Sequence, residues 1–297
     1  MKYDFTTGEG LLELCRKYNL PISEIMILRE IERSELTRET IVAEMRHDLE
    51  IMREAVRVGI EEKQSSVTGY TGGDAMLMTR YAQRSYMGAR MSKVVASALA
   101  VVEVNSAMGR IVAAPTAGAS GVLPGALIAL SDDFGFTDKE LVRALFTAAA
   151  IGMIIAENAT TAGAEGGCQA ETGTAAAMTA AALCELRGAL PSTCLHAAAM
   201  TLKNVMGLVC DPIAGLVECP CIKRNAIGVM NAVLSADMAL AGVVSLIPFD
   251  EVVSAMKSVG RQMNVDLRET ARGGLAATPT GRELMRKLRE TGDDKKE

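Results

Sequence analysis

Apolar residues recur along much of this chain at the three- and four-residue spacing of an α-helix. Within residues 42–60 the apolar positions are Val42, Met45, Leu49, Met52, Val56 and Ile60. This spacing places the apolar side chains on one face of a helix and the intervening Arg, Glu and Asp residues on the other. The pattern predicts an amphipathic helix on a large apolar surface, and packing on the chain's own core is favoured over a partner-binding arm.

The same spacing, together with residues that begin or end helices, predicts further helices. They are expected over residues 8–18, from 23 to a break near 34–37, over 74–105, 122–130, 137–158 and 168–187, from 192 or 193 to 208, and over 221–241, with two more from 249 and 280. Asp74 is a predicted N-cap, and Thr137 and Thr280 each precede a Glu by three residues, as in a capping box. Because residues 148–156 (AAAIGMIIA) are apolar on all sides, their helix is predicted to be central.

The composition favours an all-α fold. Of the 297 residues 49% are hydrophobic, and there are 18 Met, no Trp and only 3% aromatic residues. Ala, Leu and Met favour helices, whereas the residues enriched in strands are scarce. No linker rich in Pro, Ser or charge divides the sequence. We therefore predict one large all-α domain with buried central helices, made of an N-terminal helical extension (residues 1–64) and a helical core (residues 65–297).

Charge and hydropathy argue against two classes of partner. The net charge of −5 is spread along the chain, without the block of Lys and Arg that binds nucleic acid. The first residues lack the apolar run of a signal peptide, and the nearest candidate for a membrane span, residues 226–249, contains Asn231, Asp237 and Pro248. We therefore expect a cytoplasmic protein that binds neither nucleic acid nor a membrane.

Two loops are candidates for binding a small ligand. Residues 65–74 (SSVTGYTGGD) form a polar, glycine-rich loop that either lines a substrate site or simply connects two helices. Residues 115–121 (PTAGASG) precede an apolar helix, and backbone N–H groups at a helix start can hold a carboxylate without a basic side chain. The second loop lacks the Gly-Lys-Ser/Thr ending of a Walker loop. An amino-acid carboxylate fits it, although a plain tight turn has the same composition.

The seven cysteines fall into groups by their position in the helical pattern. An odd number in a chain expected in a reducing cytosol argues against disulfides. The group inside helical patterns, interpreted as small buried hydrophobic residues, consists of Cys15, Cys184 and Cys194. The group at helix ends beside Gly or Pro, where thiolates are natural ligands of a soft metal, consists of Cys168, Cys210 and Cys221.

Cys168 follows two glycines at a predicted helix start, where the helix dipole is expected to lower the thiol pKa. Cys219 lies two residues before Cys221 and could compete with it as a ligand. The spacing does not match a zinc site, since there is one Cys-x-Cys pair and only two histidines, His47 and His196. Three thiolates without an evident fourth ligand suggest a 4Fe-4S cluster with one iron free of protein ligands.

The chain resembles the alpha subunits of bacterial iron-sulfur-dependent L-serine dehydratases, also called L-serine ammonia-lyases. The resemblance covers essentially the whole chain. It rests on residues 115–121 (PTAGASG), on Asn158 with residues 163–169 (GAEGGCQ), and on residues 210–212 (CDP), 220–222 (PCI) and 224–225 (RN). The separations of 42 and 11 residues between Cys168, Cys210 and Cys221 also match that family.

The resemblance implies a cofactor, a reaction and a set of site residues. Cys168, Cys210 and Cys221 would hold a 4Fe-4S cluster, with Cys219 outside the pattern. L-Serine would be converted to pyruvate and ammonia without pyridoxal phosphate, the open iron acting as a Lewis acid on the substrate hydroxyl. The implied substrate-binding residues are Thr116, Gly118, Ala119, Ser120 and Asn158.

Two differences from single-chain relatives bear on the partner. Those relatives carry an extra domain with histidine motifs and can end in a cysteine that reaches the cluster, whereas this sequence ends in residues 294–297 (DKKE). We therefore expect one half of a two-subunit enzyme, a hetero-oligomer whose beta subunit supplies the base for the α-proton. Within this chain the catalytic residue stays unassigned, and the candidates are His196 and Glu165.

Two other functions are compatible with the sequence. A related iron-sulfur L-cysteine desulfidase would act on the same skeleton with sulfur as the leaving group. A non-catalytic helical scaffold or regulatory protein with empty cysteines belongs to a different class. A brown colour after anaerobic purification would favour the enzyme, and comparing turnover of serine and cysteine would separate the two activities.

Overall fold

Residues 1–293, the part of the chain that this computed structural model describes, contain thirteen α-helices and no β-strand. This confirms the predicted all-α class, while residues 294–297 of the predicted core lie outside the described residues. The helices are Gly8–Tyr18 (α1), Ile22–Ser34 (α2), Arg38–Glu61 (α3), Asp74–Tyr81 (α4), Gly88–Ser106 (α5), Val122–Phe134 (α6), Asp138–Asn158 (α7), Gly163–Gly166 (α8), Thr174–Leu186 (α9), Pro191–Asn204 (α10), Cys221–Leu240 (α11), Phe249–Gln262 (α12) and Pro279–Asp293 (α13). Within residues 1–293, no helix combines the length and the apolar character needed to cross a membrane.

The core is organised around α9, whose residues 174–184 are all buried. It packs against α6, α7, α10 and α11. The fully buried alanines of α9 are Ala175, Ala176, Ala177, Ala180, Ala181 and Ala182. Such short side chains let neighbouring helices approach closely. The apolar segment 148–156 of α7 is largely buried against this helix, as its pattern predicted.

The first three helices pack on the same core as the rest of the chain. Leu11, Ile22 and Leu49, from α1, α2 and α3, belong to one cluster with the buried residues of α7 and α9. The apolar face of α3 lies against α5, α6 and α7. The expectation that this amphipathic helix packs on the chain's own core is therefore confirmed, and the boundary at residue 64 stays a prediction.

The helix predicted over residues 74–105 is two helices. α4 ends at Tyr81, a 3-10 turn follows at Ala82–Arg84, and α5 begins at Gly88. The φ angle of Gly88 is 76°, in the left-handed region that glycine adopts without steric cost. A left-handed residue cannot continue a right-handed helix, so the chain changes direction between the two segments.

The N-cap predictions were partly right. Thr137 forms the predicted capping box with Glu140 at the start of α7. Asp74 is not a cap: its carboxylate pairs with Lys223, and Glu103 of α5 accepts a hydrogen bond from the Asp74 N–H (2.6 Å). The prediction for Thr280 was also wrong. α13 begins at the proline before it, and the N–H of residue 281 donates to the hydroxyl of Thr278 (3.1 Å).

Candidate active site

Cys168, Cys210 and Cys221 come together from three segments that are distant in sequence. Cys168 precedes the π-helical turn Gln169–Gly173 that leads into α9, Cys210 follows α10 in a loop, and Cys221 is the first residue of α11. The residues are 4%, 2% and 8% exposed, respectively. The thiols of Cys168 and Cys221 both lie close enough to Cys210 to influence its ionisation. We call this group the three-cysteine site.

Burial raises the pKa of all three thiols. The pKa of Cys221 rises to about 12, and that of Cys210 is raised well above its usual value. Burial also raises the pKa of Cys168, although the Thr172 hydroxyl, 3.1 Å from its Sγ, and the Arg224 guanidinium oppose the shift. The direction of the Cys168 shift is opposite to the predicted one, because removal from water outweighs the contacts that favour the thiolate.

Three thiols are a donor set that suits soft metals, among them the irons of a 4Fe-4S cluster. Within residues 1–293 there is no group of three or more His, Cys, Asp or Glu side chains placed to hold one ion. In a 4Fe-4S cluster each thiolate binds a different iron, so the sulfurs surround a larger object. The Gly163 backbone lies close to the site, since a methyl group added there would be 2.9 Å from Cys210 Sγ. Three buried thiols have the chemistry of ligands for a soft inorganic group.

Gln169 fixes the backbone next to Cys168. Its amide is fully buried, with Nε2 donating to the carbonyls of Gly166 (2.9 Å) and Met256 (3.0 Å). Oε1 accepts a hydrogen bond from the Gly207 N–H (2.8 Å). One amide thus joins α8, α12 and the loop after α10. Loss of any of these hydrogen bonds would leave a buried polar group unpaired.

The Cys210 loop is tied to the loop that follows α12. The Cys210 N–H donates to the Leu267 carbonyl (2.9 Å), and the Glu269 N–H donates to the Cys210 carbonyl (2.7 Å). These bonds form an isolated parallel bridge at Cys210 and Arg268. The backbone of one ligand candidate is therefore held by residues almost 60 positions later in the chain.

A buried ion pair connects the same loop to α11. Arg224 Nη2 donates to Asp211 Oδ1 (2.7 Å), and the two side chains are 12% and 5% exposed. Asp211 also accepts from the Leu275 N–H (2.7 Å), and Arg224 Nη1 donates to the Val209 carbonyl (2.8 Å). Since Arg224 lies one turn after Cys221, this pair sets the position of Cys221 relative to the Cys210 loop.

Asn225 anchors the predicted anion-binding loop, residues 115–121, to the first turn of α11. Its Oδ1 accepts from the Gly121 N–H (3.0 Å), and its Nδ2 donates to the carbonyls of Gly118 (2.8 Å) and Cys221 (3.0 Å). The Ser120 hydroxyl donates to a carbonyl within the loop (2.7 Å). Ala119 and Ser120 are buried, while Thr116 and Gly118 are partly exposed. The structure therefore brings this loop next to the three-cysteine site.

Glu171 is a site residue that the sequence reasoning missed. Its Oε2 lies 4.0 Å from Cys210 Sγ, and a methyl group added at Gly163 would lie 2.6 Å from the same oxygen. Burial raises the pKa of Glu171, and the charge of the Arg224 guanidinium acts in the opposite direction. The available signal was its position three residues after Cys168, which places both side chains on one side of a helical turn.

Three predicted residues are not brought into contact with the three-cysteine site. The Asn158 amide nitrogen donates to the Thr6 carbonyl (2.6 Å), near the start of the chain. The Glu165 side chain is exposed. His196 Nδ1 accepts a hydrogen bond from the Ser245 N–H (3.3 Å). Their functional assignments stay predictions.

The environments of the other four cysteines differ from that of the three-cysteine site. All seven cysteines are free thiols. Cys15, Cys184 and Cys194 are buried inside α1, α9 and α10, as predicted, and burial raises the pKa of Cys15 and Cys184 to about 12. Cys219 is partly exposed, and its carbonyl accepts a hydrogen bond from the Ile213 N–H (2.9 Å).

Comparison with known proteins finds relatives over nearly all of this chain. A family model described as serine dehydratase alpha chain matches residues 17–276. A probable L-serine dehydratase alpha chain of Bacillus subtilis (strain 168) is 49% identical over 286 residues, covering 96% of this chain and 95% of that protein. The L-serine dehydratase alpha chain of Peptoniphilus asaccharolyticus is 44% identical over 291 residues, covering 97% and 99%. L-serine dehydratase 2 of Escherichia coli (strain K12) is 36% identical over 288 residues, which are 92% of this chain but 62% of that protein.

Proposed function

Since this chain belongs to the serine dehydratase alpha chain family, we propose that it is the alpha subunit of an enzyme that converts L-serine to pyruvate and ammonia. The observation that carries the proposal for this site is the convergence of Cys168, Cys210 and Cys221 beside the loop 115–121. Iron-sulfur dependence is part of the same proposal. The three cysteines are its proposed ligands, with a fourth iron left free of protein ligands.

The proposed cluster would supply a Lewis acid that makes the serine hydroxyl a better leaving group. Arg224 lies close to Cys168 and favours the charged form of that thiol, which helps this site hold thiolates. Gln169, Asp211 and Asn225 hold the three cysteine-bearing segments through buried hydrogen bonds. The residues around the site therefore preorganise the ligands before a cluster binds.

The loop 115–121 is the proposed binding site for the serine carboxylate. This loop has no basic side chain, so its backbone N–H groups would hold the anion. Asn225 fixes the loop against α11, which keeps Thr116 and Gly118 on the side of the three cysteines and Glu171. Ala119, Ser120 and Asn158 are included in the proposal from the family motifs.

The base that removes the α-proton is proposed to come from a separate beta chain. His196 is hydrogen bonded to Ser245, and His47 lies on the exposed side of α3 beside Arg110 (3.1 Å). The name alpha chain, printed for the Bacillus and Peptoniphilus relatives, supports a second polypeptide. The Escherichia coli relative extends well beyond the region it shares with this chain.

Anaerobic purification with iron and sulfide analysis tests the proposal. About four irons and four sulfides per chain are expected for one cluster. L-Serine and L-cysteine are then compared as substrates in the presence of a beta chain, and pyruvate release from serine should dominate. Preferential release of sulfide from cysteine would instead indicate a desulfidase, and a colourless, inactive protein would contradict both activities.

A further inference from the structure

Two carboxylates influence the three-cysteine site, those of Glu171 and Glu269. Glu171 is the one whose side chain contacts the site, with Oε2 4.0 Å from Cys210 Sγ. We infer that Glu171 binds the α-ammonium group of the substrate and thereby selects α-amino acids over α-hydroxy acids. This inference rests on the proposed serine dehydratase function and adds a specificity-determining residue to it.

Glu171 has no cationic partner within the described chain. No Lys, Arg or His of residues 1–293 forms an ion pair with its carboxylate. The guanidinium that influences it, that of Arg224, already donates to Asp211 (2.7 Å) and to the Val209 carbonyl (2.8 Å). Glu171 is partly buried, so its carboxylate is incompletely solvated, and a cation that enters the site would supply the missing counter-charge. An ammonium group is therefore a suitable ligand at this position.

The surroundings of both carboxylate oxygens suit a small group. A methyl group added at Gly163 would lie 2.6 Å from Oε2, and one added at Gly118 would lie 3.7 Å from Oε1. Each oxygen thus lies against glycine backbone and not against another side chain. A side chain at Gly163 would collide with the carboxylate.

The position of Glu171 also fits the other two groups of serine. Gly118, in the loop proposed for the substrate carboxylate, lies beside one oxygen of Glu171, since a methyl group added there would be 3.7 Å from Oε1. The Cys210 thiol lies beside the other oxygen, with Sγ 4.0 Å from Oε2. An L-amino acid placed here would meet an acceptor for its ammonium, donors for its carboxylate and the proposed cluster at its hydroxyl.

The test uses Glu171→Gln in the full chain, loaded with iron and sulfide and combined with a beta chain. L-Alanine and L-lactate are the probes, because neither carries the leaving group and they differ only in ammonium against hydroxyl. Losing a charged hydrogen bond should raise the Kd of L-alanine by roughly 10- to 100-fold, measured by anaerobic calorimetry. The Kd of L-lactate should change by less than about threefold, since lactate makes no ammonium contact. Equal weakening of both probes would overturn the inference.

Two further measurements separate this role from others. The visible absorbance of the cluster should survive in Glu171→Gln, and its loss would mean that Glu171 is a cluster ligand instead. Glu269→Gln removes a charge from the same surroundings and should change the Kd of L-alanine less than about threefold. An effect as large as that of Glu171→Gln would overturn the inference. It would mean that the overall negative charge around the site, and not a contact with Glu171, sets the affinity for L-alanine.

The unsubstituted enzyme distinguishes failure of this inference from failure of the proposed function. If it neither binds L-alanine nor releases pyruvate from L-serine, the proposed function is wrong and the inference falls with it. If it does both, and Glu171→Gln binds L-alanine equally well, only the inference is wrong. The unfolding temperature of the cluster-free variant should not fall, because removing a partly buried charge that has no ion-pair partner does not destabilise the fold.

Discussion

Cysteine residues of this chain have different environments although most of them are buried. Cys168, Cys210 and Cys221 lie at segment ends that meet, whereas Cys184 and Cys194 lie within continuous helices. Burial raises thiol pKa values in both groups, so a depressed pKa does not mark the proposed ligands. A bound metal would shift each ligand thiol to its thiolate form. The position of a cysteine in the fold, and not its pKa in the metal-free protein, therefore distinguishes a proposed ligand from a core residue.

Serine substitutions test this distinction at single residues. Changing Cys168, Cys210 or Cys221 to Ser should abolish the visible iron-sulfur absorbance, because a hydroxyl is a poor ligand for this cluster. Absorbance spectra and iron counts after anaerobic purification measure the effect.

The matched controls replace the remaining thiols by alanine. The absorbance should be retained after substitution of Cys15, Cys184, Cys194 or Cys219. Retained colour in Cys210→Ser would remove that residue from the ligand set, and lost colour in Cys219→Ala would add a ligand.

At the scale of elements, close contacts of α5 with its neighbours hold the core together. A methyl group added at Gly59 of α3 would lie 2.6 Å from Ala100 Cα, and one at Gly125 of α6 would lie 2.7 Å from Ala98 Cα. Both glycines thus let a neighbouring helix approach the backbone of α5. Since backbone atoms cannot move aside as a flexible side chain does, the two glycines are required by packing.

Gly125→Ala should destabilise the protein by about 1 to 3 kcal/mol, although alanine is the better helix former. The free energy of unfolding is measured by urea denaturation. The control is Ala43→Gly on the exposed face of α3. There the intrinsic preference decides, and a loss of about 1 kcal/mol is expected. A more stable Gly125→Ala variant would contradict the packing argument.

The ion pair between Asp211 and Arg224 gives a second prediction at this scale, because it joins two loops to α11. Asp211→Asn should lower the free energy of unfolding by about 3 kcal/mol, since it leaves the Arg224 charge buried without its partner. Urea denaturation and iron content are the measurements, and both should decrease.

Asp133→Asn is the matched control for that change. Asp133 pairs with Arg90 on the surface, where the arginine side chain is 56% exposed. A surface pair contributes less than about 1 kcal/mol, so iron content should be unaffected. Equal losses in the two variants would mean that burial of the Asp211 pair has no special effect.

At the scale of the whole molecule, the site supplies proposed ligands for a cluster and a substrate but no histidine. The two histidines bond to Ser245 and to Arg110 instead. A complete reaction needs a base that removes the α-proton. The proposed beta chain is therefore the expected source of this base.

The isolated chain should therefore bind the cluster yet release pyruvate from L-serine slowly, and adding a beta chain should restore the rate. A decrease of about 100-fold or more is expected without the partner, because a positioned base contributes at least that factor. Pyruvate is measured under anaerobic conditions, with cluster content checked in both samples. Full activity from the isolated chain would move the base to a residue such as Glu165 or Glu171.

The sequence alone determined most of the helices of this protein and the likeness of its cysteine motifs to a family. Helical periodicity is a local property, so the pattern over residues 42–60 and the capping box at Thr137 predicted α3 and the start of α7. Buried and segment-end cysteines were also separable, because helix ends are marked by nearby Gly and Pro.

Only the tertiary structure decided the features that depend on groups distant in sequence. Glu103 contacts the start of α4 from another helix, which displaced Asp74 from its predicted role. The raised pKa of Cys168 reflects burial, a property that its neighbours in sequence do not reveal. Glu171 became a site residue because α8, the Cys210 loop and the loop 115–121 fold around it. Local patterns specify helices, whereas desolvation and charge pairing arise from the packing of segments that are far apart in the chain.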